Sequence, residues 1–240
     1  MNYKITISYD GFEFNGSQTQ PEKNAVEDKI VEAFKRLNVE AKIILSGRTD
    51  KGVHATGQVF NVELPEHFNQ VHALKKLLNH QLPLSIRVLK VELVSVDFHA
   101  RFSAKKRVYR YFITQKELTP FMARYVTFTP TIDEDKIKEA LPYFLGTHNF
   151  EYFQKMGSDK RNFEKEVYEV RFYKYKEFYV FKFKANSYLR SQIRLMVGFL
   201  LAISQGKCSY EELQAQLNRQ KRIFFKPADG FGLYLSKVIY

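Results

Sequence analysis

The chain has 240 residues, with 38 Lys and Arg against 26 Asp and Glu, and so a formal net charge of +12. Apolar residues make up 45% and charged residues 27%, which excludes a disordered chain and allows one large domain or two smaller ones, each with a core. The single cysteine, Cys208, excludes an internal disulfide and a cysteine metal cluster. No apolar run reaches the roughly 18 residues of a membrane-spanning helix, and the N-terminus lacks the apolar stretch of a signal peptide. A soluble, reducing compartment, the cytoplasm, is therefore expected, and the positive excess points to a polyanion such as nucleic acid.

Alternation of Tyr3, Ile5, Ile7 and Tyr9 predicts a strand that Asp10-Gly11 breaks. Val26, Ile30, Ala33, Phe34 and Leu37 share a helix face, with Asn24 and Glu27 spaced as a capping box. Ile43-Ile44-Leu45 leads into a loop over residues 46–52, and Gln58 to Leu64 alternates as a strand. A helix over Gln70–Asn79 and a strand over Ile86–Val94 follow. Further along come a strand over Val108–Thr114, a helix over Asp133–Phe144, and a hairpin of Glu166–Tyr175 and Phe178–Ala185 turning at Lys176-Glu177. A helix starts at Ser187, with Leu189, Ile193, Val197, Leu200 and Leu201 on one side, and Gly206 ends it. Ser209 and Glu212 form a second capping box. The mixture predicts an α+β fold of two halves, 1–104 and 105–240.

The segment Ser46-Gly47-Arg48-Thr49-Asp50-Lys51-Gly52-Val53-His54-Ala55 is the least ordinary stretch. Two glycines permit a turn that presents Arg48, Asp50 and His54 at the end of a sheet, where catalytic groups commonly sit. Thr-Asp-Lys-Gly is also an ordinary polar turn. The spacing of a phosphate-binding Walker loop is missing, because Val53 rather than Lys follows Gly52. The six histidines show no His-x3-His pair, so no metal site is expected.

Ser46 to Val59 resembles the catalytic motif of the tRNA pseudouridine synthase A family. Tyr9-Asp10-Gly11 with Gly16 to Gln20, Phe98 to Ala104 with Arg107 to Tyr111, Tyr188 to Gly198, and Pro227 to Gly230 with Leu233-Tyr234-Leu235 resemble the family's other motifs, in the same order. Ser17 stands where the family usually has Trp, and Lys51 where Ala is common.

The resemblance implies a mixed, mostly antiparallel sheet shared by two α+β halves with flanking helices. It implies a homodimer acting on uridines 38 to 40 of the tRNA anticodon stem-loop. It assigns Asp50 as nucleophile or base, Arg194 as its cationic partner, Tyr109 as the residue stacking on the base, and Arg48 as the residue that helps flip it. His54, Arg107, Arg110 and Leu233 are further candidate substrate contacts. The reaction detaches uracil from C1′, rotates it and rejoins it through C5, without redox change or net hydrolysis, so no cofactor is expected. On strand spacing, Arg107, Tyr109 and Tyr111 share one face and Arg110 the other. Lys105, Lys106, Lys160, Arg161, Arg219, Lys221 and Arg222 are candidate phosphate contacts. The alternative is a non-catalytic RNA-binding protein of the same fold, which accounts for the charge but not for the Asp50, Tyr109 and Arg194 set.

Overall fold

The computed structural model describes residues 1–157 and 162–240, so the candidate contacts Lys160 and Arg161 lie outside the described residues. Its strands are β1 (Asn2–Tyr9), β2 (Ile44–Leu45), β3 (His54–Glu63), β4 (Ile86–Val94), β5 (Lys106–Thr114), β6 (Thr127–Phe128), β7 (Gly146–Asn149), β8 (Glu164–Tyr175), β9 (Phe178–Ala185) and β10 (Leu233–Ile239). Its helices are α1 (Val26–Lys35), α2 (Val71–Gln81), α3 (Glu134–Ala140), α4 (Gln192–Ser204) and α5 (Tyr210–Leu217). The fold is mixed α+β, as the sequence predicts. Among the described residues no helix is long and apolar enough to cross a membrane.

The chain forms two compact units, Met1–Lys105 with Tyr234–Tyr240, and Lys106–Leu233. A single cut between 104 and 105 therefore does not describe them, because the C-terminal strand returns to the first unit. The reason is local hydrogen bonding. Tyr234 and Leu235 pair in parallel with His54 and Ala55, Lys105 N donates to Ile239 O at 2.8 Å, and the Tyr240 hydroxyl donates to Ala100 O at 2.9 Å.

In the first unit the strand order is β4-β1-β3-β10, with β1 antiparallel to both β3 and β4 and with β2 antiparallel to β3. Strand alternation sends Tyr3, Ile5 and Ile7 into the core, all fully buried, together with Val26, Ile30, Ala33 and Phe34 of α1 and Leu74 and Leu78 of α2. The cap of α1 differs from the expected one. Asp28 accepts from the Ala25 backbone N–H at 2.8 Å, while Asn24 donates to Glu13 O and Glu27 accepts from Thr19 N. Both predicted partners are thus used to tie the preceding loop. Strand β3 begins at His54, four residues before the alternating stretch, because almost every residue in it is buried and alternation is lost.

In the second unit the order is β5-β9-β8-β7, antiparallel throughout, with β6 parallel to β5. The hairpin turns at Lys176-Glu177 as predicted, with Lys176 at φ 54°. Pro142 ends regular α-helix at Ala140, and residues 141–144 continue as a 3-10 turn. Phe144, Phe150, Phe153, Phe181, Phe183 and Phe199 are all fully buried and fill a core that has no Trp. Helix α4 starts at Gln192, later than Ser187, because Ser191 adopts φ 60° and the Gln192 side chain accepts from Leu189 N at 2.8 Å. Its apolar side is not a stripe either: only Arg194 and Leu201 escape full burial. Gly198 lies where a Cβ would strike Lys226 O and Phe224, so the 224–228 segment crosses the helix at backbone distance. Gly206, at φ +69°, stops the helix where the sequence places its end, and both bonds of the Ser209–Glu212 capping box form.

Glu169 of β8 gathers three cations: Arg171 Nε at 2.7 Å and the Lys182 and Lys184 ammonium groups at 2.8 Å. Hydrogen bonds from Lys182 and then Lys184 hold its carboxyl down to about 2, from 4.5. A carboxyl whose folded pKa is depressed contributes stability that is present above about pH 4.5 and is lost as the pH falls toward 2. Glu169→Gln should therefore lower the melting temperature most at neutral pH, with the gap to wild type closing below about pH 4.5. Melts recorded across that range check this, and a gap independent of pH contradicts it.

Candidate active site

The glycine-flanked loop is fixed from three sides within the first unit. From β3, Gln58 accepts from the Ser46 hydroxyl at 2.6 Å and donates to Gly47 O at 2.9 Å. From the 16–18 turn, Ser17 N donates to Thr49 O at 3.1 Å and the Ser17 hydroxyl accepts from Thr49 N at 2.8 Å. From β1, the Tyr9 hydroxyl meets Thr49 Oγ1 at 2.8 Å, and burial pushes this phenol up to about 12. Thr49 is buried between an exposed Arg48 and a half-buried Asp50. The two functional candidates therefore stand on either side of an anchor, and Val53 N closes the turn on Asp50 O at 3.1 Å.

In the sequence Ser17 is legible only as part of a motif and Tyr9 only as part of a motif and a strand, neither as a support of the loop. Their use is a matter of tertiary contact. Ser17 is fully buried, so Ser17→Ala leaves the Thr49 N–H without an acceptor. That substitution should cost about 1–3 kcal/mol of stability and lower turnover through the loosened loop. Denaturant melts and turnover measured on one preparation check both, and an unchanged melt contradicts the anchoring.

His54 is 1% exposed, which places it as a support rather than a surface contact. Its ring stacks on Tyr234 at 4.7 Å. Gly11 N donates to Nδ1 at 3.0 Å, while Asp10 Oδ1 lies 3.2 Å from the same atom. One nitrogen cannot both accept from an amide and donate to a carboxylate. The amide is always a donor, so Nδ1 acts as the acceptor in this arrangement.

In the second unit, Tyr109 and Tyr111 are both buried on β5, beside an exposed Arg110. Tyr111 is a core residue. Its hydroxyl donates to Asp229 O at 2.8 Å and meets Thr127 Oγ1 at 2.7 Å, and burial raises its pKa. Tyr109 packs edge-on against Tyr188, with ring centroids 5.3 Å apart. Arg107 is 8% exposed and donates to Asn186 O at 2.9 Å, so it braces the 186–191 segment. Arg194 opens α4 and is clasped to the 227–229 segment: its Nε donates to Ala228 O at 2.7 Å, and Ala228 N donates to Arg194 O at 2.9 Å. Leu233, 5% exposed, follows that segment.

The candidate phosphate contacts divide by burial. Lys105, Arg110, Arg219 and Lys221 are exposed. Lys106 lies over the Tyr168 ring at 4.2 Å, and Arg222 donates to Gln154 O at 2.6 Å. In the first unit, the Lys4 side of β1 borders a cavity of about 230 Å³ whose lining includes Thr6, Thr56, Lys237 and Tyr240. Among the described residues no three His, Cys, Asp or Glu side chains are placed to hold a metal ion.

A family model described as tRNA pseudouridine synthase matches residues 5–103 and 140–240. The chain belongs to the tRNA pseudouridine synthase family and is an isomerase, which removes the alternative of a non-catalytic RNA-binding protein. Relatives named tRNA pseudouridine synthase A include that of Campylobacter jejuni subsp. doylei, 42% identical over the whole of both chains. Those of Wolinella succinogenes and Phytoplasma mali are 39% and 36% identical, covering 98% and 100% of this chain and 92% and 98% of theirs.

Proposed function

We propose that this isomerase converts uridines 38 to 40 of the tRNA anticodon stem-loop to pseudouridine, with Asp50 as nucleophile or base. The observation that carries the reading is the three-sided anchoring of the loop at Ser46, Gly47 and Thr49, which holds Asp50 in place with its side chain half-exposed. A carboxylate that attacks or abstracts must be held in place yet reachable. Attack on the sugar, attack on the ring and removal of a sugar proton all use the same group.

In this reading Arg194 is the cationic partner of the carboxylate, and its clasp on Ala228 fixes the guanidinium. Tyr109 offers an aromatic face to the base, and exposed Arg48 takes the gap that the flipped uridine leaves. Exposed Arg110, Lys105, Arg219 and Lys221 hold phosphates. The protein works as a homodimer in the cytoplasm. The test is a pseudouridine map of unmodified tRNA after incubation with the protein. Conversion confined to positions 38 to 40 is expected, and conversion elsewhere, or none, overturns the reading.

A further inference from the structure

The Tyr188 hydroxyl is buried and has no hydrogen-bond partner among the described residues. It is not a loose end. The segment that carries it is tied by Asn186, which accepts from Ser187 N at 2.6 Å and from Glu166 N at 3.3 Å. Arg107 holds Asn186 O, and Gln192 holds Leu189 N. Leaving a buried polar group unpaired is costly, so a fixed orphan marks a place where a partner arrives from outside. Two other side-chain atoms share this state, Ser85 Oγ and Arg222 Nε. Arg222 is engaged through another nitrogen.

Tyr188 touches a residue with a proposed role in the reaction. Its ring stands at 85° to that of Tyr109. A base lying flat on Tyr109 is then perpendicular to Tyr188, an orientation in which a phenol hydroxyl can point at the rim of the base, where the carbonyl oxygens are. Burial raises the phenol well above its ordinary pKa, so it stays protonated and donates.

We propose that Tyr188 is a substrate-recognising residue whose hydroxyl donates a hydrogen bond to a carbonyl oxygen of the target uracil. The proposal rests on the reading of Tyr109 as the residue that holds the base. A donor facing C4 also disfavours cytosine, which carries an amino group there, whereas a donor facing C2 does not discriminate.

The test compares wild type and Tyr188→Phe on tRNA carrying uridine, 2-thiouridine or 4-thiouridine at the modified position. Sulfur accepts hydrogen bonds weakly. Tyr188→Phe should lower kcat/KM on unmodified tRNA by roughly 2- to 10-fold, the worth of one hydrogen bond. The loss should vanish on the one thio-substrate whose sulfur replaces the bonded oxygen, which also says which carbonyl it is. The melting temperature should stay the same or rise, because the variant removes an unpaired buried group and keeps the ring. Unchanged kcat/KM, an equal loss on all three substrates, or a lowered melting temperature each overturns the proposal. Inactivity of the wild type on uridine-containing tRNA overturns the proposed activity itself. Normal turnover in Tyr109→Leu overturns the base-holding premise.

Discussion

Asp50→Asn should abolish turnover and leave tRNA binding intact. Asn has almost the same shape and keeps an acceptor oxygen, and the bonds that Ser46, Gly47 and Thr49 make anchor the loop beside it. Its turn bond to Val53 uses the backbone oxygen, which the substitution preserves. What is lost is the negative charge that makes the group a nucleophile or base. Loss of such a group costs roughly 10⁴-fold or more in kcat. Rejoining uracil through C5 expels the C5 hydrogen, so tritium release from C5-labelled uridine in tRNA measures turnover, and filter retention measures binding. Turnover above background in a clean Asp50→Asn preparation removes Asp50 as the essential group. Loss of binding with loss of turnover shows instead that the charge organises the surface for RNA.

Tyr109→Leu should be nearly as severe, for a different reason. A base stacked on an aromatic ring gains about 1–3 kcal/mol, and in a reaction that frees the base from its sugar this face also keeps the fragment in place. Turnover should fall by at least roughly 10²-fold, the combined scale of lost stacking and lost positioning. The variant also loses the edge-on contact with Tyr188, so a melt must accompany the kinetics to separate instability from chemistry. Tyr109→Phe retains the face and removes the hydroxyl. A fall of roughly 10²- to 10⁴-fold assigns proton transfer to that hydroxyl, and a fall of only a few-fold assigns the ring to holding alone. Near-normal turnover in Tyr109→Leu defeats both.

The elements that local periodicity governs were legible in the sequence. Alternation over Tyr3–Tyr9, the turn at Lys176-Glu177, the stop at Gly206 and the Ser209–Glu212 cap each depend on residues within one turn or one strand of each other. The loop that holds Asp50 was also legible, because the glycines, the polar run and the flanking strands are contiguous. Misreadings occurred where burial on both faces erased alternation, as at the start of β3, or where a side chain found a more distant partner. Asn24 reads as a helix cap until Glu13 O is beside it, and His54, a candidate substrate contact in the sequence, is enclosed by Gly11 N and Tyr234.

By itself the sequence determined the α+β class, the position of the Asp50 loop, and the family to which the chain belongs, since all three are written in contiguous residues or in the order of short motifs. Only the tertiary structure decided that the last strand joins the first unit and that Ser17 and Tyr9 anchor Thr49. The same holds for the enclosure of His54, the clasp of Arg194 on Ala228 and the unpaired Tyr188 hydroxyl. The physical reason is that a hydrogen bond between residues tens of positions apart leaves no periodic trace in the chain, and whether a buried polar group is satisfied depends on every neighbour that folding brings to it.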